Sequence, residues 1–385
     1  MARIPFNRPL LLPSAYSYIR QAVENMHLSG DGQFTVACHT LLERTLGVAK
    51  ALLTTSCTHA LEMAALLLDV APGDEVIVPS FTFVSTINAF VLRGARPVFA
   101  DIRPDTLNLD ERSLDGLLTA RTRVIVPVHY AGVGCEMDVI CRVASEKNIA
   151  IVEDNAHGLF AKYRGKYLGT FGSLATQSFH ETKNFACGEG GALIINDERY
   201  AERAEILREK GTNRKQFFRG LIDKYTWVDL GSSYLPSDVL AALLLAQLEF
   251  REEIQHRRAR IWNDYAQELR DWARNRGIEM PAIPDHCEQA YHMFYLVLPS
   301  LAERDALISH LRDRGVNAVF HYLPLHLSPM GKTFGGRPGD CPIAEAISDR
   351  LIRLPFYYDL TKSDQAKVID AVRDFHVPVY FRPAV

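Results

Sequence analysis

Ile149-Ala150-Ile151-Val152-Glu153-Asp154 is an apolar run that ends on two acids, and its reading decides the fold. A run apolar on both faces suits a parallel strand covered by helices on each side. Acids placed directly after such a strand stand at the carboxyl edge of the sheet, where open α/β folds bind ligands. Working outward, similar runs occur at Val48 to Leu53, Glu75 to Val78, Pro97 to Ala100 and Arg123 to Val128, separated by amphipathic stretches. This alternation predicts an α/β fold with a mostly parallel sheet. Two helices precede it, one capped by Ser14 and running to about Met26, the other from Ala37 to Leu46 with Gly47 as its stop. After Asp154 the strands become short and closely spaced, at Ala175 to Phe179 and Ala192 to Ile195, so the sheet is expected to turn mixed before a charged helix from Asp197 to Lys210.

From Ser237 a long helical stretch passes through Gln247 into the charge-rich segment Arg251 to Arg260, which suits a connector. The boundary is placed there: residues 1–250 as a large domain and 251–385 as a small α/β domain. In the latter, strands at Met293 to Leu298 and Asn317 to Tyr322 flank a helix from Ala302 to Arg314 that Gly315 ends.

Composition narrows the function classes. The 385 residues are 48% hydrophobic and 23% charged, an ordinary globular balance, and the formal charge of −3 is wrong for a surface that holds a nucleic-acid backbone. The seven cysteines show neither the density of a disulfide framework nor a C-x-x-C metal spacing, which fits a reducing cytoplasm. Leu10 to Leu12 stops at Pro13, too short for a membrane span or a leader. The expectation is a cytoplasmic protein with no nucleic-acid, membrane or metal partner.

Five stretches carry candidate chemistry, each with an ordinary structural alternative. Thr54-Thr55-Ser56-Cys57-Thr58 passes from a strand into a helix, where free N–H groups and hydroxyls form an anion cup; alone, it reads first as a simple N-cap. Asp154 after its strand needs a cation partner, and the protonated ring nitrogen of pyridoxal phosphate (PLP) would supply one; acids at strand ends are also common caps. His157, three residues on, could touch such a ring or simply pack. Ser178-Phe179-His180-Glu181-Thr182-Lys183-Asn184 follows a short strand, and a lysine there can form a Schiff base with an aldehyde cofactor and then shuttle a proton; most lysines only solvate a surface. His180-Glu181 opens like a zinc H-E-x-x-H, but its fifth residue is Asn184. Gly188-Glu189-Gly190-Gly191 precedes a strand, the reverse of the dinucleotide-binding order, and suits close backbone approach beside Lys183. Gly132-Val133-Gly134 has Met137 where a third glycine would be needed. Finally, Phe83 in Pro79-Ser80-Phe81-Thr82-Phe83-Val84-Ser85-Thr86 could stack on a flat ring or fill the core.

Taken together, Glu153-Asp154-Asn155-Ala156-His157, Ser178 to Asn184 and Gly188 to Gly191 resemble the sugar aminotransferases of the DegT/DnrJ/EryC1/StrS family. The resemblance covers nearly the whole chain. Lys210-Gly211-Thr212-Asn213-Arg214 and the segments through Trp227 are similar to the dTDP-4-amino-4,6-dideoxygalactose transaminase group. It implies an aspartate aminotransferase-like, type I PLP fold with a seven-stranded type of sheet, PLP joined to Lys183, and Asp154 against the pyridine nitrogen. Cys57, Thr58 and Ser178 would hold the phosphate, Phe83 would stack on the ring, and His157 would lie near the ring face or its phenolic oxygen. Relatives complete the phosphate site with an asparagine from a second subunit; the matching position here is Ser233, in a homodimer with shared sites. The implied reaction takes an amino group from glutamate to the 4-keto carbon of a dTDP-linked keto-deoxysugar, with Arg219, Lys224 and His326 as candidate sugar-nucleotide contacts. Family dehydratases replace the lysine by histidine, so Lys183 favours transamination. The alternatives are a 3-keto sugar aminotransferase and a non-catalytic sugar-nucleotide-binding regulator.

Overall fold

The computed structural model describes residues 3–376. Seven strands form one sheet: β1 Lys50–Thr54, β2 Glu75–Pro79, β3 Arg96–Ala100, β4 Thr122–Ile125, β5 Ala150–Asp154, β6 Leu174–Ser178 and β7 Gly191–Ile195. Their spatial order is β1-β7-β6-β5-β4-β2-β3. Strand β7 runs antiparallel to both its neighbours, and every other adjacent pair is parallel. Six strands therefore end, and β7 begins, along a single edge.

Helices α1 Pro13–Glu24, α2 Gln33–Leu46, α3 Cys57–Leu67, α4 Ser85–Val91, α5 Met137–Lys147 and α6 Asp238–Glu249 cover the faces. Because successive strand residues point to opposite faces, each strand feeds two cores. Val76, Val78 and Val152 meet α3 on one side, while Ile77, Ile125 and Ile151 meet α5 on the other. Burial on both faces is what the unbroken apolar runs required.

A second layer follows. Helix α7 Arg251–Arg274 packs with α8 Leu301–Asp313 and the two-stranded sheet of β8 Tyr295–Val297 and β9 Leu351–Arg353. Ile4 joins this core and pairs with Val316, so the start of the chain crosses to residues more than 300 positions away and brings Phe6 and Asn7 with it. No helix among the described residues is long and apolar enough to cross a membrane.

Three local expectations change. Helix α1 begins at Pro13, whose fixed φ suits a first turn, with Leu12 extended before it; Ser14 lies inside the helix instead of capping it. The stretch from Ser237 is two helices, because Phe250 (φ −92°, ψ 14°) ends the apolar α6 before the amphipathic α7 begins. Asn317 to Tyr322 is not a strand: only Val319 bridges to Arg353, and the partner of β8 is β9. Pro324, which has no N–H to donate, stands two residues beyond that stretch.

The first residue of β7 decides how tightly the edge closes. In register, Gly191 faces Thr54 on one side and Ser178 on the other, and a Cβ there would press into the Ser56–Cys57 peptide. Replacing Gly191 by alanine should lower stability by about 1–3 kcal/mol, since the obstacle is backbone. An unchanged urea midpoint for Gly191→Ala would show the contact to be loose.

Candidate active site

At that edge, between the sheet and the second layer, lies a cavity of about 590 Å³. The two acids of β5 part company there. Glu153 points away, fully buried, and accepts N–H groups from Gly169, Phe171 and Gly172 at 2.8, 2.6 and 2.8 Å, with His129 Nε2 at 2.9 Å. That saturated carboxylate ties the following loop. Asp154, one residue on, turns into the cavity, where Thr86 Oγ1 donates to its Oδ2 at 2.8 Å and the Ala156 N–H to its Oδ1 at 3.2 Å. Alternation along the strand separates a structural acid from one available to a ligand.

Lys183 sits on the loop between β6 and β7. Bonds from Lys183 N–H to His180 O and from Glu181 N–H to Gly188 O, both 2.9 Å, fix that loop, and the side chain enters the cavity. Burial pushes its amine down to about 8; Cys57 and Asp154 pull it partly back, and Arg353 opposes them. Among the described residues, Lys183 Nζ closes no ion pair. Burial, with Asp154 nearby, also raises the Cys57 thiol, so it stays neutral.

His157 is pushed well below its ordinary value by burial, then by Lys183 and Arg353, and is a neutral imidazole. Its Nδ1 is buried without a partner, while its ring stacks on His292 at 4.2 Å and 17°. Nδ1 of His292 is bonded to Asn184 Oδ1 at 2.9 Å, and that of His321 to Tyr130 Oη at 3.0 Å, which fixes both rings.

The anion cup is formed as its sequence suggests. Ser56 caps α3, accepting the His59 N–H at 3.1 Å, and Thr58 Oγ1 donates to Ser85 Oγ at 2.8 Å. Cys57 and Thr58 occupy the first two helical positions, whose N–H groups have no acceptor within a helix.

The structure thus brings Lys183, Asp154, Cys57, Thr58, Phe83, His157 and Ser178 around one cavity. It places Ser233 and Arg219 elsewhere, on a second cavity of about 690 Å³ that also carries Lys210, Arg214 and Lys215. Arg219 donates to Glu205 at 2.8 Å, and Lys224 is exposed on the neighbouring loop. His326 is no sugar contact: it is fully buried, with Nδ1 bonded to Ser80 Oγ at 2.6 Å and Nε2 to Glu345 Oε1 at 2.9 Å, and offers no ring nitrogen to a ligand. Sequence reasoning did not find His292, His321, Tyr322 or Arg353, which reach the cavity from the second layer. No local pattern marks them.

Residues 14–373 match the profile of the DegT/DnrJ/EryC1/StrS aminotransferase family. The chain is 33% identical to GDP-perosamine synthase of Caulobacter vibrioides, over 97% of this chain and 98% of that one. Among similar solved structures, the putative sugar aminotransferase Spr1654 from Streptococcus pneumoniae in its PLP form has a TM-score of 0.89 at 28% identity, covering 96% of this chain and 98% of that one. DesV of S. venezuelae has a TM-score of 0.88 at 30% identity, covering 97% and 98%.

The lowered amine makes a pH test direct. Only the neutral amine attacks an aldehyde, and its fraction rises with pH through its pKa. Capture of added PLP by the apo-protein, followed by absorbance, should reach half its limiting rate near pH 8; a midpoint near the ordinary 10.5 would contradict the burial described.

Proposed function

Since the chain belongs to the DegT/DnrJ/EryC1/StrS aminotransferase family and is a PLP-dependent sugar aminotransferase, we propose that it moves the amino group of glutamate to the 4-keto carbon of a dTDP-4-keto-6-deoxyhexose. The product is a dTDP-4-amino-4,6-dideoxy sugar. The observation that carries the catalytic part is the Lys183 amine, lowered to about 8, in the same cavity as the Asp154 carboxylate and the start of α3.

The residues present fit the cofactor. The cavity offers N–H groups of Cys57 and Thr58 to a phosphate, a carboxylate to a protonated ring nitrogen, an unpartnered His157 Nδ1 to a ring oxygen, and Phe83 as an aromatic wall. Bound there, PLP supplies an electron sink that lets an amino group leave one carbon and join another. The chain's own groups do the rest. Asp154, oriented by Thr86 and the Ala156 N–H, presents its carboxyl group where the ring nitrogen would be held. Lys183 Nζ removes and returns the proton at the carbon that bears the amino group. The stacked, neutral His157 and His292 line this region as a buried wall.

A homodimer with shared sites completes the reading. Ser233 does not line its own chain's Lys183 cavity, and the loop beside it exposes Phe218, Leu221 and Trp227, apolar area that a second subunit would cover. The dTDP and 4-keto preferences rest on the similarity of the segments from Lys210 to Trp227 to that transaminase group. A relative named for a GDP-linked product makes GDP-linked keto-sugars the necessary comparison.

Incubation of the PLP-loaded protein with glutamate and a dTDP-4-keto-6-deoxyhexose should give a sugar aminated at carbon 4, identified by NMR. Amination at carbon 3, or a preference for a GDP-linked substrate, would overturn the substrate assignment. Lys183→Ala should lose turnover by about 10²–10⁴-fold or more, since proton transfer disappears with the amine. Asp154→Asn should fold normally and lose on the order of a hundredfold in kcat; wild-type rates in either variant would refute its role.

A further inference from the structure

Arg353 ends β9, and its backbone is locked against Val319, with Arg353 N–H to Val319 O at 2.7 Å and Val319 N–H to Arg353 O at 3.2 Å. From this fixed point the side chain reaches the cavity that holds Lys183. A charge in such a place calls for a counter-charge, because burial without one is strongly unfavourable. None is there. Among the described residues no acid pairs with Arg353, its Nε is buried without a partner, and its Nη2 makes only a long 3.5 Å contact with Phe320 O. The guanidinium rests instead on the ring of Phe6, 4.6 Å from the centroid, which covers one face and leaves its edge to the cavity.

Of the lysines and arginines, only Lys183 and Arg353 line the cavity among the described residues. Asp154 is already engaged by Thr86 and the Ala156 N–H. Around Arg353 the rings of Tyr130, Tyr322, His157 and His321 are neutral, their shifts all caused first by burial.

We infer that Arg353 receives the α-carboxylate of the amino-acid donor and selects amines that carry one; this rests on the transaminase reading of the same cavity. The chemistry of the two substrates makes the assignment selective. An amino acid carries a carboxylate on the carbon whose proton Lys183 must reach, and a planar guanidinium fork matches that group with two parallel hydrogen bonds. A keto-sugar has no carboxylate there. The two half-reactions therefore depend on Arg353 unequally, and the donor without its carboxylate loses its anchor.

The experiment uses the PLP-loaded full chain and the variants Arg353→Gln and Arg353→Lys. In Arg353→Gln the KM for L-glutamate should rise about tenfold or more while the KM for the keto-sugar stays within about twofold. Arg353→Lys should recover part of the loss, because it restores the charge but not the fork. The preference for L-glutamate over 4-aminobutyrate, which lacks the α-carboxylate, is read as the ratio of their rates of converting bound PLP with no sugar present. It should fall about tenfold or more in Arg353→Gln. Equal losses in both half-reactions, or an unchanged donor preference in either folded variant, would overturn the assignment while leaving the transaminase reading intact. A wild-type protein whose bound PLP no amino acid converts would overturn that reading, and this inference with it.

Discussion

An amine and a carboxylate enclosed in one cavity without closing an ion pair on each other is the constraint on which the rest of this structure depends. Left free to move, Lys183 and Asp154 would pair and neutralise the site. They are held apart by bonds elsewhere: Thr86 and the Ala156 N–H fix the carboxylate, and backbone bonds within the loop from Phe179 to Gly190 fix the base of the lysine. The separation leaves a carboxylate that stabilises a cation and an amine whose proton comes off near neutral pH.

The sheet exists to maintain that arrangement. Reversal of β7 alone brings the start of one strand against the ends of two others, so Gly191 lies between Thr54 and Ser178. The anion cup at α3, the serine at the end of β6 and the loop of Lys183 are thereby parts of one rigid corner. Glu153 supports it from behind, spending a buried carboxylate on three backbone N–H groups and a histidine. A group buried at such electrostatic risk is tolerated because every bond it needs is supplied.

Most of the sheet side of this corner was legible in the sequence, because its signals are local. The apolar runs gave strands within a few residues of those observed, and residues that follow β1, β2, β5 and β6 are among those that line the cavity. The second layer was legible only in part. Strand β8 and helix α8 fall where apolar and helical stretches were read, but β9, three residues long, is too short to show a period, and Arg353 shares the cavity of Lys183 across 170 positions of chain. His326 misled for the opposite reason: a histidine suggests chemistry, yet this one spends both nitrogens on Ser80 and Glu345. Ser14 misled because the proline before it, not its hydroxyl, starts the helix.

The central claim is that the Lys183 amine is the group that joins the cofactor aldehyde. Reduction of the PLP-loaded protein with borohydride makes such a bond permanent, and peptide mass mapping then locates it. The account predicts the pyridoxyl mass on the peptide that contains Lys183, at that residue. The label on another lysine, with Lys183 unmodified, would contradict it.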